Sequence, residues 1–208
     1  MNNVKNSIGW ADYTWNPVVG CKRECFYCYA KKIYNRFNKT KIPFTEIQFG
    51  MNRLFQPCNV KKPSRIFVGS MSDICYWENW QVSNIIDVTK RCPQHTFLFL
   101  TKDGNCYSKY DFPKNCWLGI TYTKDWEITV RKDNLKFMSI EPLLKSVNMN
   151  DFTGIFDWFI VGGLSPNPVH KIEWIDYIVR YCKHCSIPLY IKNNAHYPIE
   201  IKEFPKSK

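Results

Sequence analysis

Three cysteines stand in the stretch Gly20-Cys21-Lys22-Arg23-Glu24-Cys25-Phe26-Tyr27-Cys28, at positions i, i+4 and i+7. Ten cysteines in 208 residues give about 0.03 such triplets by chance, so the spacing carries information. Thiolates are ligands for soft metals, and three on one short loop can bind three irons of a [4Fe–4S] cluster while leaving the fourth iron open. A structural zinc site needs a fourth protein ligand, and Cys58, Cys75 or a histidine is at hand for that alternative. Cys182 and Cys185 also read as C-x-x-C, a pair that ten cysteines produce readily by chance. Cys182 falls on the apolar side of a helical pattern, which favours packing over metal. His95, His170, His184 and His196 stand singly and read as surface or core residues.

Charge is the second signal. Lys and Arg number 29 against 18 Asp and Glu, a formal net charge of +11. Residues 1–62 hold eleven of the bases and three of the acids, an excess of eight. A solvated lysine-rich surface is the plain explanation, and a collar for a phosphate backbone is the functional one. Lys31, Lys32 and Arg36 follow the cysteines directly, interleaved with Tyr29, Tyr34 and Phe37 as stacking or packing groups. With 45% hydrophobic and 23% charged residues, the composition is globular and excludes a disordered chain. The longest apolar runs, such as 158–161, are far too short to cross a bilayer, and the polar stretch 1–7 has no apolar signal core. A cytoplasmic protein with reduced thiols and no membrane partner is expected.

The elements that must position these groups recur in a rhythm. Short β-branched and aromatic runs at 65–69, 96–100, 116–121, 136–140, 158–161 and 188–191 read as parallel strands covered on both faces, and a seventh strand is expected within 9–19. Helical patterns lie between some of them. Val82, Ile85 and Ile86 share one face, as do Ile172, Ile175, Ile178, Val179 and Cys182, and a further helix is expected at 29–37. Residues 44–49 read as an extra strand or an irregular segment. The alternation predicts a single α/β domain over 1–208, either an open doubly wound sheet or a complete or partial barrel. Polar groups cluster where the strands end: Ser70 to Asp73, Thr101-Lys102, Thr121 to Thr123, Ser139 to Glu141, Gly162-Gly163 and Lys192 to Asn194. In parallel α/β folds that end of the sheet carries the site. Ser72 or Asp73 is equally suited to cap a helix.

Cys21, Cys25 and Cys28, with aromatic Tyr27 before the last, resemble the C-x3-C-x2-C signature of the radical S-adenosylmethionine superfamily. A longer series comprises Trp15-Asn16-Pro17, Gly20-Cys21, Cys28-Tyr29-Ala30, Ser70 to Asp73, Phe97 to Lys102, Trp117-Leu118-Gly119, Ser139 to Leu144 and Trp158 to Gly163. It is similar, in order over roughly 8–194, to a family of compact phage-associated proteins. Two departures stand out: only Lys22-Arg23-Glu24 separates the first two cysteines, and Leu164 follows the paired glycines where an acid is common.

The resemblance implies an α/β fold of the radical-enzyme type, a partial (β/α) barrel of about six or seven parallel strands. It implies a [4Fe–4S] cluster on Cys21, Cys25 and Cys28, with S-adenosylmethionine chelated at the open iron. Reduction by an electron donor then yields a 5′-deoxyadenosyl radical that takes hydrogen from the substrate. Carried over by position, Ser70, Ser72 and Asp73 meet the methionyl amino group. Thr121 and Thr123, or Ser139 and Glu141, meet the ribose and carboxylate, and Lys102 pairs an anion. Gly162 and Gly163 admit the adenine, and Tyr27 counts with the cofactor-binding residues.

The leading expectation is an enzyme that modifies, rearranges or repairs a nucleic-acid base or nucleotide, in a bacterial host if phage-encoded. Trp10, Tyr13 and Trp15 would stack on the base, and Lys31, Lys32 and Arg36 would hold phosphates. The alternatives are the same chemistry on a peptide or small molecule, and a non-catalytic nucleic-acid-binding module stabilised by a cluster or zinc.

Overall fold

The computed structural model describes residues 1–6, 8–123, 127 and 133–206. Its main sheet is built from β1 (Asn2–Asn3), β2 (Tyr13–Trp15), β5 (Arg65–Val68), β6 (Thr96–Thr101), β7 (Cys116–Thr121), β8 (Lys136–Ile140), β9 (Trp158–Val161) and β10 (Leu189–Ile191), in that spatial order. Two short strands, β3 (Val18–Val19) and β4 (Gln48–Phe49), pair antiparallel beside it. From β2 to β10 every neighbouring pair is parallel; β1 alone runs antiparallel, against β2. The strand order follows the chain order. A doubly wound sheet reverses its order at a switch point, so the alternative left open by the alternation resolves to a curled half-barrel of mixed α/β type.

The side-chain period of two sends alternate residues of each strand to opposite faces. On the outer face, Ile66, Val68, Phe97, Phe99 and Leu118 pack under α3 (Asn79–Arg91) through Val82, Ile85 and Ile86. Met138, Ile140, Phe159, Val161, Leu189 and Ile191 pack under α4 (Ile172–His184) through Ile175, Ile178 and Cys182. Cys182 is thus a core residue, as its helical face predicts. On the inner face Phe67, Leu98, Trp117, Phe137, Trp158, Ile160 and Tyr190 meet Trp10 in a third cluster. The helical layer is thinner than full β/α alternation predicts: a short 3-10 turn, Asn105–Lys109, connects β6 to β7, and Met149–Phe152 lies between β8 and β9.

A half-barrel has two open edges, which invite foreign strands. β1 covers β2 through Asn2 to Thr14 and Asn3 to Tyr13. Along β10, Ile191 N donates to Ile201 O at 2.9 Å and Glu203 N to Leu189 O at 3.0 Å. Across the open seam, Tyr190 touches Gly9 so closely that a Cβ there would lie 2.1 Å from the phenol oxygen. Among the described residues, no helix is long and apolar enough to cross a membrane.

Two contacts generate stability predictions. The Phe137 ring lies against Gly119 in β7, where an added Cβ would stand 2.2–2.5 Å from three ring carbons. Gly119→Ala is therefore expected to cost about 1–3 kcal/mol in urea unfolding, as overpacking of a filled interior does.

Asp12 joins β2 to β5, accepting from Arg65 N at 2.8 Å and pairing with its guanidinium at 3.4 Å. Burial alone would raise this carboxyl, but the Arg65 hydrogen bonds and charge outweigh it and hold the pKa below its ordinary 3.8. A depressed carboxylate contributes stability that is present above its unfolded pKa and lost as pH falls through the folded one. Asp12→Asn is expected to cost about 1–2 kcal/mol near neutral pH, a deficit that shrinks below pH ~4 as the parent carboxylate protonates. Parallel urea melts across that range check the sign.

Candidate functional site

The carboxyl ends of the strands open into a cavity of about 1080 Å³. Its floor is aromatic, from Trp10, Phe67, Tyr190 and Phe204, and the cysteine loop lies on its wall with Cys21, Arg23, Cys25, Tyr27 and Cys28. Small inward residues at the upper ends of β7 and β8, Gly119, Thr121 and Ser139, replace the large rings below them, which is what leaves the space.

The loop is tied to the sheet by backbone. Gly20 has φ +107°, and a Cβ there would lie 2.2 Å from Glu46 O, so only glycine fits. Gly20 N donates to Met71 O at 3.0 Å and Cys21 N to Phe44 O at 2.8 Å. Ser72 completes the junction: its hydroxyl donates to Gly20 O at 2.5 Å and accepts from Trp77 Nε1 at 2.8 Å. Asn16 Oδ1 accepts from Ser70 Oγ at 3.1 Å and Met71 N at 3.2 Å, joining the corner after β2 to the same turn. Cys28 caps α1 (Tyr29–Phe37), its sulfur accepting from Lys31 N at 3.3 Å. Tyr29 OH donates to Ser70 O at 2.7 Å.

Asp73 is a structural node as well as a cavity residue. Its carboxylate accepts from Thr101 Oγ1 at 2.5 Å, Cys75 N at 3.2 Å and Lys102 N at 3.2 Å, and it caps the turn Ile74–Tyr76. The helix-capping alternative is therefore real for Asp73, and Ser72 is a tie rather than a cap. Thr121 and Ser139 are buried on the cavity wall and make no side-chain hydrogen bond to a described residue. Glu141 faces the cavity and pairs with Lys192, one strand end meeting another.

Several expected groups lie elsewhere. Trp15 is 0% exposed in the outer core, its Nε1 donating to Arg53 O at 2.8 Å, because β2 directs it away from the concave face. Tyr13, two residues earlier, packs on that same outer cluster. Neither can stack on a ligand in the cavity. Trp10 does line it, as a buried floor residue. Thr123 does not line the cavity. The space beside Gly162 is taken by Glu141, 2.9 Å from where a Cβ would be, and that beside Gly163 by Asn194 O at 2.4 Å. The paired glycines thus make room for neighbouring groups of the chain, although Gly163 also lines the cavity. Of the basic trio on α1, Lys32 reaches the cavity rim, whereas Lys31 pairs with Glu24 at 3.2 Å and Arg36 lies 5.4 Å over the Phe37 ring.

Arg23, Lys192 and Asn194 join the site without having been singled out by motif. The charge excess around the cysteines pointed to Arg23, and the polar strand end pointed to the other two. Three buried polar atoms on cavity residues have no hydrogen-bond partner among the described residues: Trp10 Nε1, Arg23 Nε and Asn194 Oδ1. Such atoms are costly to leave unpaired, and a water or a bound molecule in the cavity can satisfy them.

Three thiols on one loop are a soft-donor set. Among the described residues no three His, Cys, Asp or Glu side chains converge as one ion requires. The thiolates of a cubane each bind a different iron and need not meet at one point. Cys58 contacts Cys92 at 3.2 Å and does not line the cavity; Cys75 does not line it either, but lies beside Arg23 of the cysteine loop. Burial, with the neighbouring Asp73 and cysteine charges, pushes the Cys21 thiol up to about 11. Cys21 in the metal-free chain is expected to alkylate with a rate that climbs with pH toward ~11. Ser72→Ala, which frees the Gly20 carbonyl, should speed that reaction at least about threefold near neutral pH by opening the loop. Mass-spectrometric alkylation kinetics read both.

No curated protein and no solved structure matches the chain. Residues 5–207 match the family described as "Protein of unknown function (DUF5131)", and with nearly its whole length covered the chain belongs to that family.

Proposed function

We propose that the protein is a radical S-adenosylmethionine enzyme acting on a nucleic-acid base or nucleotide. The observation that carries this reading is the shared cavity: three thiols on one loop face the same space as the strand-end groups Asp73, Thr121, Ser139 and Glu141. Cys21, Cys25 and Cys28 would hold a [4Fe–4S] cluster, and the strand ends would hold S-adenosylmethionine. When bound and reduced by an electron donor, that pair supplies hydrogen-atom abstraction.

The chain's own residues have defined tasks. The junction of Gly20, Ser72 and Asn16 holds the loop to the sheet, so the thiols keep a constant position relative to Asp73. The free hydroxyls of Thr121 and Ser139 offer hydrogen bonds to a polyhydroxylated ligand. Glu141 is oriented by its ion pair with Lys192. The aromatic floor excludes water from below, and a planar base is a suitable occupant above it. Outside the cavity, Phe26 and Phe37 are 74% and 68% exposed beside Lys22, Lys32 and Arg36. Exposed rings interleaved with cations suit a single-stranded polynucleotide.

Anaerobic reconstitution is expected to load about four irons and four sulfides. Cys21→Ala, Cys25→Ala and Cys28→Ala should each lose them, and Cys182→Ala should keep them. The reduced protein should convert S-adenosylmethionine to 5′-deoxyadenosine. Stoichiometric zinc with no iron uptake would overturn the ligand set, and iron without that conversion would favour a non-catalytic module. For the substrate, oligonucleotide affinity should fall steeply with salt, and removing Lys31, Lys32 and Arg36 together should flatten the slope by about two to three counterions. Weak binding at low salt, unchanged in the triple variant, would reject the polynucleotide.

A further inference from the structure

Among the described residues neither Arg23 nor Lys102 on the cavity wall forms an ion pair with a carboxylate, although Asp73 and Cys75 lie near enough to act on the Arg23 charge. Arg23 lies in the cysteine loop with Nε sealed from solvent and unbonded. Lys102 follows β6, its Nζ 5.7 Å from the centre of the Tyr27 ring. Arg23, Tyr27 and Lys102 line the same cavity. The other inward cations are engaged: Arg65 by Asp12, Lys192 by Glu141, and Lys202 by Ile191 O and Asn193 Oδ1. Lys5 and Lys32 are exposed at the rim. Asp73 is the nearby acid, and its carboxylate already accepts from Cys75 N, Thr101 Oγ1 and Lys102 N.

A half-buried guanidinium with an unpaired N–H is costly unless an acceptor arrives with the ligand. A planar guanidinium and an ammonium on one cavity wall match a tetrahedral oxyanion, the first through paired N–H groups and the second as a point charge. We infer that Arg23, Tyr27 and Lys102 form an oxyanion clamp on the cavity wall that receives the phosphate of a nucleotide substrate. This rests on the nucleotide reading above and adds the group by which the substrate is held. The same chemistry would accept a carboxylate, so the test must separate phosphate from the carboxylate of S-adenosylmethionine.

The experiment is equilibrium dialysis of thymidine 5′-monophosphate, thymidine, inorganic phosphate and S-adenosylmethionine against the full chain after anaerobic iron–sulfur reconstitution. The monophosphate should bind at least about tenfold more tightly than the nucleoside, and inorganic phosphate should compete with it. Arg23→Gln and Lys102→Gln should each cut that preference to about threefold or less. Lys102→Arg, which keeps the point charge, should retain most of it and guard against misfolding, whereas Arg23→Lys, which keeps the charge but loses the paired N–H groups, should fall between the parent and Arg23→Gln. Equal binding of nucleoside and monophosphate overturns the clamp, as does a preference that survives the double glutamine variant. Loss of S-adenosylmethionine binding alone would assign the cations to the cofactor and reject the phosphate. Iron loading of the same variants depends on the cysteines and should match the parent. A chain that takes up iron but ignores phosphate defeats the clamp alone, whereas one that takes up no iron defeats the earlier reading.

Discussion

The structure depends on how the concave face of a half-barrel is filled. Every strand sends alternate side chains inward, and a curled sheet with chain-ordered strands leaves an interior that must be packed or wetted. Here the amino-terminal half is packed by Phe67, Trp117, Phe137, Trp158 and Tyr190 around Trp10, with Phe137 seated against Gly119. Burial of each ring contributes about 1.5–3 kcal/mol, and the cluster joins strands far apart in sequence. Above it the inward residues become small or polar, so the interior ends in a cavity. Floor and site are two parts of one face.

The second dependency is the junction between the cysteine loop and the turn after β5. A loop of nine residues carrying three thiols has no core of its own; of α1, only Ala30 is buried. Its position comes from hydrogen bonds to the sheet, through Gly20, Cys21, Ser72 and Tyr29. Asp73 then links that turn to β6 by accepting from Thr101 and Lys102. The groups assigned to chemistry and those assigned to architecture therefore overlap, and a substitution at Ser72 or Asp73 acts on both.

Charge is distributed with the same economy. Two carboxylates are matched by cations, Asp12 with Arg65 and Glu141 with Lys192, while Asp73 accepts from neutral donors. The surplus is positive and gathers around the cysteine loop and α1, beside exposed rings. An anionic substrate would complete the balance on the cavity wall and outside it, which is why one charge pattern supports both a phosphate at the clamp and a strand along α1.

The run of β-branched and aromatic residues determined the strands, since parallel strands covered on both faces must be apolar along their length. Cys116–Thr121, Lys136–Ile140 and the helix Tyr29–Phe37 stand where their patterns put them. Cysteine spacing and the polar strand ends were legible too, because both are local. Tertiary structure decided which face each residue took. Periodicity separates Trp15 from Thr14 but does not say which side is concave, so a tryptophan near the cysteines ended in the outer core. The Glu141–Lys192 pair joins positions 51 residues apart, and the two meet across the end of the intervening strand β9, where Gly162 leaves room for the glutamate. The space beside Gly162 went to a neighbouring glutamate for the same reason: local sequence states what a residue can do, whereas the packing of distant strands determines what it meets.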